Sequence, residues 1–70
     1  MQAEAKVAKK FKISAKVLDR AKDRLITAYI SDAQRVTEGV GMTLEFLRVL
    51  TKAMGYKVEK SKSEDYFYIR

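Results

Sequence analysis

Seventy residues carry fifteen Lys and Arg against nine Asp and Glu, a formal charge of +6, and contain no Cys, no His and no Pro. That length admits one domain, because a single core takes about 50 to 200 residues, and the missing Cys and His exclude a disulfide framework and the usual zinc ligands. The commonest general base and the thiol nucleophile are absent too, and the remaining Ser, Thr, Lys, Tyr and carboxylates form no triad-like constellation, so no enzyme, metal, cofactor or small-molecule substrate is expected.

Residues 1–12 are rich in Ala and Lys, with only Val7 and Phe11 as sizeable apolar groups. That pattern is too sparse to secure a core helix alone and predicts a basic arm, flexible or transiently helical, ahead of a domain over residues 13–70.

The first helix is expected after Ser14, whose hydroxyl can cap it, with Ile13 positioned to pack on Leu18. Leu18, Ala21, Leu25 and Ala28 recur at three- and four-residue steps and form a core-facing stripe. Lys16, Arg20 and Arg24 form a basic ridge on another side, which Asp19 and Asp23 can pair with across the helix surface. Tyr29 and Ile30 suit a short extended segment before the next cap.

Ser31 and Gln34 have the spacing of a capping box, which opens a second helix over about Asp32 to Val40 with Ala33, Val36 and Val40 inward. Gly39 and Gly41 weaken that helix at its end, as a turn requires. Thr43 caps a third helix whose apolar face is Leu44, Leu47, Leu50, Thr51 and Met54, with Met42 stapling onto Leu47 and Gly55 as the stop. Beyond Gly55 the period changes to two: residues 56–60 and 66–70 bracket the polar run 61–65 and predict a terminal β-hairpin, with Tyr66 and Tyr68 on one strand face and Phe67 and Ile69 on the other. Tyrosines so placed can stack on unpaired bases, although a packed or partly exposed strand face is the favoured explanation.

The charge is uneven. Residues 1–24 hold eight basic and three acidic groups, a net of +5, while the other 46 residues contribute only +1. A basic chain favours polyanions through counterion release, and this asymmetry puts most of the attraction in the N-terminal third. No stretch approaches the ~20 apolar residues of a membrane span, and the first twenty residues lack a signal peptide's apolar run. An intracellular, cytoplasmic protein without membrane contact is expected, nucleoid-associated if it binds DNA. A domain this small buries barely enough surface for stability, so a homodimer or a protein partner is also expected.

From Ser31 onward the chain resembles the winged helix-turn-helix superfamily. In that family apolar residues stand one and five positions before the turn glycine and one, six and nine after it; measured from Gly41, Val40, Val36, Met42, Leu47 and Leu50 occupy these places. Thr37 departs from the pattern, which has a small alanine there. The resemblance implies an α+β fold, a small three-helix winged helix-turn-helix with a C-terminal β-hairpin wing, in a protein that binds double-stranded DNA and regulates transcription.

It further implies that the third helix lies in the major groove, with Arg48 on guanine, Glu45 on cytosine, and Thr43 and Lys52 on phosphates. Lys60 and Lys62 become wing contacts, and Lys9, Lys10 and Lys12 an arm on the backbone or in the minor groove. The alternative is a protein-interaction module, a small inhibitor or assembly subunit, that docks through an apolar outer patch of Leu44, Phe46 and Val49 on the same helix, unless these three complete the core of the domain, which their apolarity suits equally.

Overall fold

In the computed structural model, which describes residues 2–31, 35–63 and 65–70, Ser14 and Thr43 begin two helices as their hydroxyls predict. The Ser14 hydroxyl accepts from the Val17 N–H at 3.3 Å, and the Thr43 hydroxyl accepts from the Phe46 N–H at 3.2 Å. The helices are α1 (Gln2–Lys10), α2 (Ala15–Ile30) and α3 (Leu44–Ala53), followed by strands β1 (Val58–Lys60) and β2 (Phe67–Ile69). Three helices and an antiparallel C-terminal hairpin make the expected α+β fold. The helices, however, are not all the predicted ones.

The residues expected as a basic arm form α1, which packs on α3. Val7 and Ala8 are buried, the Phe11 ring meets that of Phe46 at 5.6 Å, and the nearly buried Glu4 carboxylate receives the Lys22 ammonium of α2 at 3.0 Å. Ala and Lys are strong helix formers, and tertiary contacts supply what so short a helix lacks by itself. At its end the Ile13 N–H bonds to the Ala8 carbonyl at 2.8 Å and the Lys12 N–H to that of Lys9 at 3.2 Å, with Lys12 left-handed at φ 56°. This is the closure that usually uses glycine, here made by a lysine.

Tyr29 and Ile30, expected as extended, are the last turn of α2, and Ser31 is its C-cap, donating its N–H to the Thr27 carbonyl at 2.9 Å, rather than the N-cap of another helix. Ala21, Leu25 and Ala28 keep the helical step and are all buried, and no breaker precedes Ser31. Asp32, Ala33 and Gln34, with the proposed capping box, lie outside the described residues.

The predicted helix over 32–40 is overturned from Arg35 onward. Val36 instead exchanges backbone hydrogen bonds with Phe67, at 2.8 and 3.1 Å, on the free edge of β2. Gly39 and Met42 exchange another pair, at 3.1 and 3.0 Å, across a two-residue turn, with Gly41 at φ 72°. Five of the seven residues 35–41 are β-branched or Gly, both poor in helices, and the bridge to Phe67 gives their backbone other partners. Val40, expected inward, stands 94% exposed at the turn's tip.

Arg24 holds this segment down. Its Nη2 donates to the Thr37 carbonyl at 2.9 Å, and its Nη1 lies 3.6 Å from the Met42 sulfur, so the guanidinium expected in a solvated ridge is a clamp between α2 and the turn. Gly39 makes room for it.

Leu44, Phe46, Leu47, Leu50 and Thr51 of α3 are buried with Phe67, Ile69, Val36 and Met42 and with Ala21, Leu25 and Ala28 of α2, against which Leu18 is half-buried. The Thr51 hydroxyl is satisfied by the Leu47 carbonyl at 2.7 Å. Gly55, at φ 92°, ends α3 through bonds from its own N–H to Lys52 and from the Tyr56 N–H to Thr51. The hairpin pairs Val58 with Ile69, Glu59 with Tyr68 and Lys60 with Phe67. Phe67 and Ile69 point into the core, as the alternation predicts.

A Cβ at Gly39 would lie 2.5 Å from Arg24 Nη1, so Gly39→Ala should push the guanidinium off Thr37 and destabilise the domain by about 1 kcal/mol. In an Arg24→Ala background the same change should be neutral or slightly stabilising, since it then only reduces unfolded-state freedom. Urea denaturation of the four proteins reads the difference; equal losses in both backgrounds would remove Arg24 as the constraint.

Candidate nucleic-acid interface

The four-residue connection between α1 and α2 concentrates positive charge. Lys6, Lys9, Lys10, Lys12 and Lys16 are all exposed around it, and no acidic residue occurs between Ala5 and Leu18. Because α1 is anchored on α3 and tied to α2 by Glu4 and Lys22, these ammonium groups stem from a fixed backbone. Lys9, Lys10 and Lys12, expected on a loose arm, stand instead at the end of α1 and in the connection, with Lys6 one turn earlier and Lys16, expected in the α2 ridge, just after it. The acid-free run was the available signal for Lys6.

On α3 the exposed side is a narrow stripe. Glu45 and Lys52 are exposed, Arg48 and Val49 are half-buried, and Thr43 is exposed at the cap. Arg48 shares an open cleft with Glu38 and Asp65, so carboxylates from the turn segment and the hairpin tip flank the expected guanine-reading side chain. That environment lowers the attraction of this stripe for phosphate. Lys60 and Lys62 are exposed on the hairpin.

Of the two readings of Leu44, Phe46 and Val49, the outer patch does not form and core completion holds for the first two. Phe46 is fully buried and Leu44 nearly so, because α1 and the hairpin close over α3 on either side, and only Val49 of the three retains partial access. Exposed apolar surface lies instead at the end of α2, where Ile26, Tyr29 and Ile30 share one helical face. Tyr29 stacks on Tyr56 there, with centroids 4.6 Å apart. The extended reading of Tyr29 and Ile30 concealed this face.

The outward side of the hairpin carries an alternating row of cations and rings. The Arg35 guanidinium sits 5.2 Å from the Tyr66 centroid, Tyr66 meets Tyr68 edge-on at 5.5 Å, and the Arg70 guanidinium sits 5.2 Å from the Tyr68 centroid. Arg70 also donates from Nε and Nη2 to Glu59, at 3.0 and 3.4 Å. Desolvation first, and then a hydrogen bond with Tyr66 and its charge, hold the Tyr68 phenol above its ordinary value, against the pull of Arg35 and Arg70. The period-two alternation placed the two rings on one face; Arg35 joins them because Val36 pairs with Phe67.

Among the described residues no cluster of three or more His, Cys, Asp or Glu can hold a metal ion, and no helix is long and apolar enough to cross a membrane. No protein-family model matches the chain, and no curated protein or solved structure is significantly similar to it.

Burial of Phe46 separates core from surface on α3. Phe46→Ala should remove about 3–5 kcal/mol, comparable with the whole stability of a domain this size, whereas Val49→Ser should cost under about 1 kcal/mol. Far-ultraviolet circular dichroism during thermal melting distinguishes the two; equal tolerance at both positions would contradict this packing.

Proposed function

We propose that this chain is a small DNA-binding protein, acting as a transcriptional regulator, that grips duplex DNA chiefly through its lysine corner. The observation carrying this reading is the set of five exposed lysines, Lys6, Lys9, Lys10, Lys12 and Lys16, around one helix–helix connection with no acid between Ala5 and Leu18. Such a density of exposed cations on an ordered backbone suits phosphates, where each neutralised phosphate releases condensed counterions. Thr43, Glu45, Arg48 and Lys52 on α3, with Lys60 and Lys62 on the hairpin, supply the secondary contacts that the winged resemblance implies. Glu38 and Asp65 beside Arg48 favour a modest sequence preference, because a carboxylate near the reading side chain competes with a base edge.

Lys12 supports the same reading. A left-handed residue with a β-carbon is strained by about 1–2 kcal/mol relative to glycine, so a lysine there retains charge at the expense of stability. A second reading, a protein-interaction module or homodimer, is favoured by Ile26, Tyr29 and Ile30 at the end of α2, in place of the Leu44, Phe46 and Val49 patch.

Binding to a mixed-sequence duplex should weaken steeply with salt, and Lys9→Ala/Lys10→Ala/Lys12→Ala should reduce the slope of log affinity against log salt by about 2.7. Arg48→Ala/Lys52→Ala should reduce it less than the corner variant. Absence of binding to any duplex at ~50 mM salt would reject the proposal. Lys12→Gly should raise stability by up to about 1 kcal/mol while weakening the duplex complex, a pairing of effects that denaturation and gel-shift titration measure together.

A further inference from the structure

We infer that the outer face of the hairpin is a stacking platform for unpaired nucleobases, so that the chain binds single-stranded nucleic acid on a surface separate from the lysine corner. Strand alternation puts Lys57, Glu59 and Ser61 of one arm beside Tyr66, Tyr68 and Arg70 of the other, on the side away from the core-facing Val58, Phe67 and Ile69. Arg35 borders the row through the Val36–Phe67 bridge. Among the described residues the face therefore displays two aromatic rings with three cations, Arg35, Lys57 and Arg70, against one carboxylate, Glu59.

Both parts of that composition fit one ligand. Unpaired bases stack on aromatic rings whatever their sequence, and a neighbouring cationic groove follows the phosphates. Duplex DNA keeps its bases stacked on each other and offers no free base to the rings. A peptide's acidic side chains would meet the cations but leave the rings without planar partners.

Each guanidinium lies against a ring, where a planar cation is attracted by the electron-rich face. A base entering that layer takes the place over the ring, and the flexible arginine moves aside to a phosphate. The Arg70–Glu59 pair is exposed on both sides and yields at little energetic cost. This inference does not depend on duplex binding by the lysine corner, and the two can fail separately.

The test compares a thymidylate strand of about 10 nucleotides with an abasic strand of the same length, using the unaltered protein at low salt. The strands present the same phosphates and differ in bases. The chain has four tyrosines and no tryptophan, so the part of the tyrosine quenching that Tyr66→Leu/Tyr68→Leu removes reports stacking on the hairpin. The expected result is quenching by the thymidylate strand and binding at least about fivefold tighter than to the abasic one.

Tyr66→Leu/Tyr68→Leu should lose that preference, while Tyr66→Phe/Tyr68→Phe should keep it and duplex affinity should stay unchanged in both. Equal affinity for the two strands overturns the inference, and so does a folded leucine variant that retains the preference. The comparison of strands on the unaltered protein decides the matter even if the leucine variant fails to fold. Loss of duplex binding in the lysine-corner variant with the thymidylate preference intact shows the surfaces to be independent.

Discussion

Val36 and Phe67 exchange two backbone hydrogen bonds, and the arrangement of the remaining elements follows from them. Once Val36 lies along β2, the chain from Arg35 to Glu38 must run extended, and the turn at Val40–Gly41 must reverse it into Thr43 and α3. The bridge also covers the free edge of β2 at Phe67, where unpaired backbone groups would otherwise face other chains. With Val36 and Phe67 buried in the core, the edge is secured by packing as well as by hydrogen bonds.

A consequence is that α3 becomes the central helix. α1, α2 and β1 all pack on it, leaving Glu45, Arg48, Val49, Lys52 and Ala53 with access to solvent. A helix enclosed on so many sides has little freedom to project into a groove. The charged groups best placed for a polyanion belong to the peripheral elements, the α1–α2 corner and the outer face of the hairpin. These surfaces differ in chemistry: the corner holds compact ammonium charges suited to phosphates, and the hairpin combines guanidinium groups with rings suited to planar ligands.

Arg24 shows how one side chain can change its meaning between sequence and fold. Its place in a run of basic residues four apart reads as part of a solvated ridge, yet it donates to the Thr37 carbonyl and fills the space that Gly39 leaves. No periodicity in α2 signals this, because the acceptor is a backbone oxygen 13 residues away. Lys22 is similar, since its partner Glu4 belongs to a segment whose composition alone indicated no fixed structure.

Local chemistry was sufficient wherever a signal and its effect lie within one turn or one strand. Ser14 and Thr43 start their helices, Gly55 ends α3, the stripe of α2 faces inward, and alternation puts Phe67 and Ile69 on the side opposite Tyr66 and Tyr68. These depend on hydrogen bonds across three or four residues and on a fixed side-chain period, both written directly in the residue order. What only tertiary structure decided is whether a marginal segment becomes helix or not: α1 forms because α3 and Lys22 receive it, and residues 35–42 run along β2 and turn back instead of forming a helix because Phe67 and Arg24 supply partners. Segments this short gain too little from their own hydrogen bonds to choose a conformation, so contacts from distant parts of the chain choose it for them.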